Sequence, residues 1–206
     1  MFRFNSPALI AGTIAALALV PAASAAAPSL GDLNPPPPDD YTCKPVGART
    51  ICTVTRHESK VAEPQTELVC GSGADEFTID DNGDVESRLT RIYNADGNLT
   101  SRVEHQVWTN SFWSNPLTGK VVTYTQRATF FDELTVPGDL DSIVETVTGE
   151  NIYTDPVTHK KVARSVGRVV WGPDGSLLAE SGPHWDIDLF VFGDTSALDG
   201  VCAALS

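Results

Sequence analysis

The sequence predicts an all-β protein: an antiparallel up-and-down barrel of about eight strands, with a β-sandwich as the alternative. Three observations carry that reading. From residue 76 onward no window of helical length keeps a 3.6-residue apolar period. β-branched and aromatic residues come instead in long runs, each bounded by a turn signal. Runs of that length twist too strongly for a small flat sheet, and closing the sheet on itself removes its exposed edges.

The strands follow in order. A short one at 76–80 precedes Asn82-Gly83, and 84–94 leads to the hairpin signal Asp96-Gly97. Strand 98–108 ends before NPLTGK (115–120), and 120–131 before the looser link 132–141. Strand 142–154 reaches DPVTHK (155–160), 160–171 reaches Pro173-Asp174-Gly175, and 176–182 and 186–192 complete the set. NPLTGK and DPVTHK are the same turn written twice. Asn or Asp accepts backbone N–H groups, Pro fixes φ, Thr adds a side-chain bond, and the next residue takes φ > 0. Gly119 suits that last position, and His159 is among the residues that tolerate it. Two strands separate the copies, so both turns belong at one end of the sheet, with Asn82-Gly83.

The ends of the chain bound its location. Arg3 precedes an apolar run from Ala8 to Val20, and Ala23-Ser24-Ala25 fits small-x-small cleavage, so residues 1–25 read as a signal peptide. Residues 26–40, with NPPPPDD at 34–40, read as a disordered proline-rich linker. A hairpin at 41–66 and a barrel domain at 67–206 follow. Removing the signal peptide leaves 13 basic against 27 acidic residues, a balance that argues against a nucleic-acid partner. No later segment is apolar enough for a membrane helix.

Four cysteines in an exported chain imply two disulfides. Cys43 and Cys52 flank Gly47 almost symmetrically and can face each other across a hairpin. Cys70 then pairs with Cys202, joining the start of the main domain to its end. Closing so long a loop stabilises by roughly 4–5 kcal/mol on a chain-entropy treatment. Zinc has little support, because there is no C-x-x-C pair.

Alternation along 98–108 places Leu99, Val103, Val107 and His105 on one face, with Arg102, Glu104 and Gln106 opposite, so His105 is expected inside the barrel. Val85, Leu89 and Tyr93 share a face with Ser87 and Arg91. Strand 161–171 is mixed on both faces, with Trp171 alongside Ala163, Ser165, Gly167 and Val169. The candidate ligand-binding residues are therefore His105, Arg91, Tyr93, Tyr124 and Trp171. No catalytic residue is assigned. His184 and Asp186 would need a nucleophile to form a triad, and no G-x-S-x-G elbow exists. DDNGDVE (80–86) lacks the spacing of a calcium loop, and Asp186 with Asp188 carries no further support for a cation. With no P-loop, dinucleotide fingerprint or H-E-x-x-H, the sequence implies no cofactor and no metal.

Cys70, RIYNADGNL (91–99), NPLTGK, VGRVVWGPDG (166–175), ESGPH (180–184) and CAAL (202–205) resemble a group of exported actinobacterial proteins of unknown function. The resemblance covers roughly residues 68–206. It implies a lipocalin-like or allene oxide cyclase-like β-barrel, although the early G-x-W of lipocalins is missing, and it transfers no catalytic residue.

Three functional readings follow. The first is a secreted barrel that binds a small apolar or amphipathic molecule, which requires a cavity of a few hundred cubic ångströms. The second is a cyclase- or isomerase-like enzyme using a luminal His105 with Arg91 or a Tyr. The third is a surface-interaction module anchored by exposed Phe112 and Trp113.

Overall fold

A computed structural model describes residues 27–184 and 193–206. The expected signal peptide, the expected strand 186–192, and Asp186 and Asp188 lie outside the described residues. Among the described residues eight strands form one antiparallel sheet in chain order. They are β1 (Thr42–Val46), β2 (Arg49–Cys70), β3 (Phe77–Tyr93), β4 (Leu99–Ser114), β5 (Val121–Leu134), β6 (Ile143–Thr154), β7 (Lys161–Trp171) and β8 (Leu177–Ser181). A short helix, α1 (Asp199–Leu205), ends the chain. The all-β meander is therefore present. Among the described residues β1 and β8 form the two edges, and no pairing between them closes a barrel.

Three segments differ from the sequence reading. The spans 76–80 and 84–94 are one strand, β3, because Asn82-Gly83 lies within the pairing, opposite bulges in β2 at Val61-Ala62 and in β4 at Asn110-Ser111, and is not a hairpin turn. At Gly83 φ is 155°, and a Cβ would meet the Ser111 hydroxyl at 2.5 Å, so only glycine lets β4 approach there. The N-terminal hairpin is not a separate unit. β2 runs on to Cys70 and pairs with β3 along its length. The proline-rich segment is docked where a free linker was expected. Leu33 packs with Cys52, Tyr93, Leu99 and Leu134, Tyr93 donates its hydroxyl proton to the Pro35 carbonyl at 3.0 Å, and Asn34 bridges Asn98.

The described residues form two apolar clusters, one at each end of the long strands. One is the Leu33–Tyr93–Leu99 group just described. The other gathers Ile79, Trp113, Val122, Tyr124 and Tyr153 beneath α1, whose Val201 and Leu205 are fully buried. Both disulfides pair as expected. Cys43 and Cys52 are register partners with Cα atoms 3.9 Å apart. Cys70 and Cys202 have Cα atoms 5.3 Å apart and tie α1 to the end of β2.

The twice-written turn has the same Asn/Asp side-chain and backbone bonds both times. The Asn115 side chain accepts the Leu117 and Thr118 amides, and Asp155 accepts those of Val157 and Thr158. The Gly119 and His159 amides return to the Asn115 and Asp155 carbonyls at 2.8 Å, with φ of 73° and 58°. Both turns lie at the α1 end, where Asn115 also donates to the Leu205 carbonyl. The motif is structural.

Candidate functional site

Strand pairing defines which side chains share the concave face, because register partners point the same way. Across the middle of the sheet the partners run Arg91–Arg102–Asp132–Glu145–Trp171, then Leu89–Glu104–Phe130–Val147–Val169, then Ser87–Gln106–Ala128–Gly149–Gly167. Trp113 on β4 and Tyr153 on β6 stand two strands apart, yet their ring centroids are 4.3 Å from each other, so the sheet curls strongly over this face.

The curl has a crease. Gly149 and Gly167 are register partners. A Cβ at Gly149 would collide with the Arg127 carbonyl. One at Gly167, where φ is +136°, would collide with the Ser181 carbonyl and stand 3.0 Å from the His184 ring. Paired glycines thus let the sheet fold sharply and bring segment 181–184 against β7.

Between the two end clusters this face is hollow. One cavity of about 330 Å³ lies over β2 to β6 between Arg56, Leu89, Arg102 and Phe130. A second, of about 460 Å³, lies over β5 to β7, with apolar walls from Phe130, Val147, Val169 and Trp171 and polar contributions from Asn151, Ser165 and His184. Phe130 and Glu145 line both.

Of the five expected ligand residues, the structure brings Arg91 and Trp171 to this hollow. Arg91 reaches the Pro36 carbonyl at 3.4 Å and stacks over Tyr41. Tyr93 and Tyr124 are buried in the two end clusters and line neither of these cavities. Tyr124 donates to Asp81 at 2.8 Å, beside Lys60 at 3.5 Å, and burial is the main cause holding both the Asp81 carboxyl and the Tyr124 hydroxyl above their usual pKa ranges. His105 is on the outer face, exposed, bonded to the Thr129 hydroxyl at 2.9 Å. The reason is a bulge: Tyr93 pairs with Leu99 but Ile92 with Ser101, so Thr100 is an extra residue. Past it, Leu99 shares its face with Arg102, Glu104 and Gln106, and strict alternation inverts every assignment from Ser101 to Val107. The anchor patch fails similarly, because Trp113 is only 6% exposed within the α1-end cluster.

The residues missed from sequence sit at the junction of the cavities. Arg102 donates to Asp132 Oδ2 from Nε and Nη2, both at 2.6 Å. Asp132 is 7% exposed, and its buried Oδ1 accepts no hydrogen bond from the described residues. Glu145 stands directly opposite on β6. Burial first, and the Asp132 charge second, push the Glu145 carboxyl above the usual range. The pair escaped notice because 132–141 reads as a loop, whereas β5 continues to Leu134. The available signal was the acid opposite Arg102 once β5 is extended.

A second polar pair closes the larger cavity. His184 Nε2 lies 2.8 Å from the Ser181 carbonyl, which makes Nε2 the protonated nitrogen and Nδ1 an acceptor for the Ser165 hydroxyl at 3.5 Å. Among the described residues no group of His, Cys, Asp and Glu is arranged to hold a metal ion, and no helix is long and apolar enough to cross a membrane. The two disulfides fit an oxidising compartment. No protein-family model, curated protein or solved structure matches this chain.

Proposed function

We propose that this is an exported protein that binds a small, partly apolar molecule in the hollow of its concave face. The observation that carries the reading is the cavity of about 460 Å³ with four apolar walls and a few convergent polar groups, the size and character typical of ligand sites. The paired glycines support it, since they hold the sheet creased over space instead of filling that space with side chains. The composition of residues 1–25 and the oxidised cysteines support export. The resemblance to exported actinobacterial proteins with lipocalin-like barrels points the same way. The cyclase-like alternative had rested on His105, which faces away from the hollow.

Native mass spectrometry of the protein recovered from the medium of cells that secrete it tests this. A noncovalent small-molecule adduct that is lost on denaturation is the expected result. Apoprotein alone, with no adduct formed after incubation with a lipophilic extract of the same culture, would overturn it.

A further inference from the structure

We propose that the hollow takes an uncharged ligand, and that Gln126 reads one hydroxyl or amide group on it while the apolar body lies over Ala128, Phe130, Val147 and Val169. The proposal rests on the ligand-binding reading above and names the chemistry of the ligand and the residue that selects it.

Gln126 faces the hollow from β5. Its register partners are Trp108 on β4 and Asn151 on β6, and Asn151 is in turn opposite Ser165 on β7. The polar groups of these neighbours are engaged or enclosed. Trp108 Nε1 donates to Gln106 at 3.5 Å, Asn151 Nδ2 donates to the Tyr153 hydroxyl at 2.9 Å, and Ser165 meets His184 Nδ1 at 3.5 Å. The Asn151 Oδ1 has no donor, but it has no accessible surface either. Gln126 differs on both counts. Its side-chain amide bonds to no other described residue, and it is half-buried on the wall of the larger cavity with neither polar atom enclosed. A primary amide offers an acceptor and two donors, so it pairs best with a group that both gives and takes a hydrogen bond.

The charges around this end are paired, distant or turned away. Asp132 follows Gln126 on β5 at a distance of about 20 Å along the strand, so Glu145 and the Arg102–Asp132 pair stand at the opposite end. Arg127 points to the outer face with its register partners Val107 and Glu150, and Glu150 pairs with Arg164 at 3.4 Å. Lys60, over the Trp108 ring at 5.2 Å, is held by Glu63 at 3.4 Å and Asp81 at 3.5 Å. Glu58 belongs to the same register row but is exposed on β2, three strands away. A carboxylate or ammonium carried to Gln126 would leave water without an opposite charge to meet it, a penalty that a neutral hydroxyl avoids. Along β5 the row Phe130–Val147–Val169 lies about 14 Å from Gln126 and supplies the apolar contact, with only Ala128 and Gly149 between them.

Titrations of the full, disulfide-bonded protein followed by amide-resolved NMR test this at neutral pH with four probes on one skeleton: phenethyl alcohol, ethylbenzene, phenylacetate and phenethylamine. The alcohol binds at least about tenfold more tightly than either ion. Gln126→Leu weakens the alcohol about five- to tenfold, the worth of one neutral hydrogen bond, and leaves ethylbenzene unchanged. Gln126→Glu, of nearly the same size, reverses the order and makes phenethylamine the tightest of the four. Three results would sink the assignment to Gln126 while leaving the hollow as a ligand site: an ion that binds the wild type as tightly as the alcohol, a Gln126→Leu protein that binds the alcohol like wild type, or a loss in that variant shared equally by ethylbenzene. If none of the four probes enters the wild-type protein, the reading of the hollow as a ligand site falls with it.

Discussion

The link between Cys70 and Cys202 makes a large and calculable demand on stability. The two residues are 132 positions apart in the chain. On a chain-entropy treatment a loop of that length restrains the unfolded chain by about 5 kcal/mol, against about 2.6 kcal/mol for the short loop closed by Cys43 and Cys52. The structure adds a second reason for a large effect. α1 is only seven residues long and too short to persist alone, yet its Val201 and Leu205 seal the apolar cluster over Ile79, Trp113 and Tyr153. Replacing both cysteines by Ala removes the tether while keeping a small apolar side chain in each place. For a chain of this size the loss corresponds to a fall in melting temperature of roughly 10–20 °C. Thermal unfolding followed by circular dichroism, with urea unfolding as a check, reads it directly. The Cys43→Ala/Cys52→Ala variant, measured alongside, falls by about half as much. If the Cys70→Ala/Cys202→Ala protein melts within a few degrees of wild type, or above the other variant, α1 is not the element that holds this end together.

Three further outcomes are expected. His159→Gly is neutral or mildly stabilising in thermal unfolding, because relief of the positive φ, worth about 1 kcal/mol, is offset by the greater freedom of glycine in the unfolded chain; a clear loss would contradict the turn geometry. Gly167→Ala costs on the order of 3 kcal/mol in urea unfolding, since its Cβ would strike the Ser181 backbone at a left-handed φ, whereas Gly175→Ala, with open space around it, costs about 1 kcal/mol. Glu145→Gln makes the protein more stable at neutral pH and leaves it unchanged in strong acid. The folded protein holds the Glu145 proton more tightly than the unfolded chain, so the wild type's relative stability is complete below the ordinary glutamate range and declines as pH rises from about 4 through the raised value. A stability difference that does not change with pH would refute that cause.

Much of the fold is legible from local chemistry. The repeated turn, the strands it joins and both disulfide pairs follow from residue types whose backbone demands are strong: Asn or Asp, Pro, and a position that must take φ > 0. The faces were harder to read, because they depend on counting, and one inserted residue changes the count. Thr100 is such a residue. It inverts β4, placing His105 outside and Arg102, Glu104 and Gln106 inside. Asn110 is another: it is the extra residue of β4 opposite Gly83, which sits in the middle of a long strand where a hairpin was expected. Neither bulge has a local signature that separates it from a turn or a plain strand position. The carboxyl pair escaped for a related reason: Asp132 begins a polar stretch that reads as a loop until the pairing partners of Phe130 and Leu134 are known. Leu33 illustrates a third limit, since a proline-rich composition conceals a single apolar residue with a buried place to go.

The measurement that bears most directly on the concave face as the ligand site compares two neighbouring residues of β5. Ala128 faces the hollow and Thr129, bonded to His105, faces outward. Phe is introduced at each in turn, and binding of phenethyl alcohol is measured on protein whose unfolding transition is retained. Ala128→Phe fills the space and abolishes binding, while Thr129→Phe leaves it at the wild-type level. Equal binding by the two variants, or loss confined to Thr129→Phe, would contradict the account.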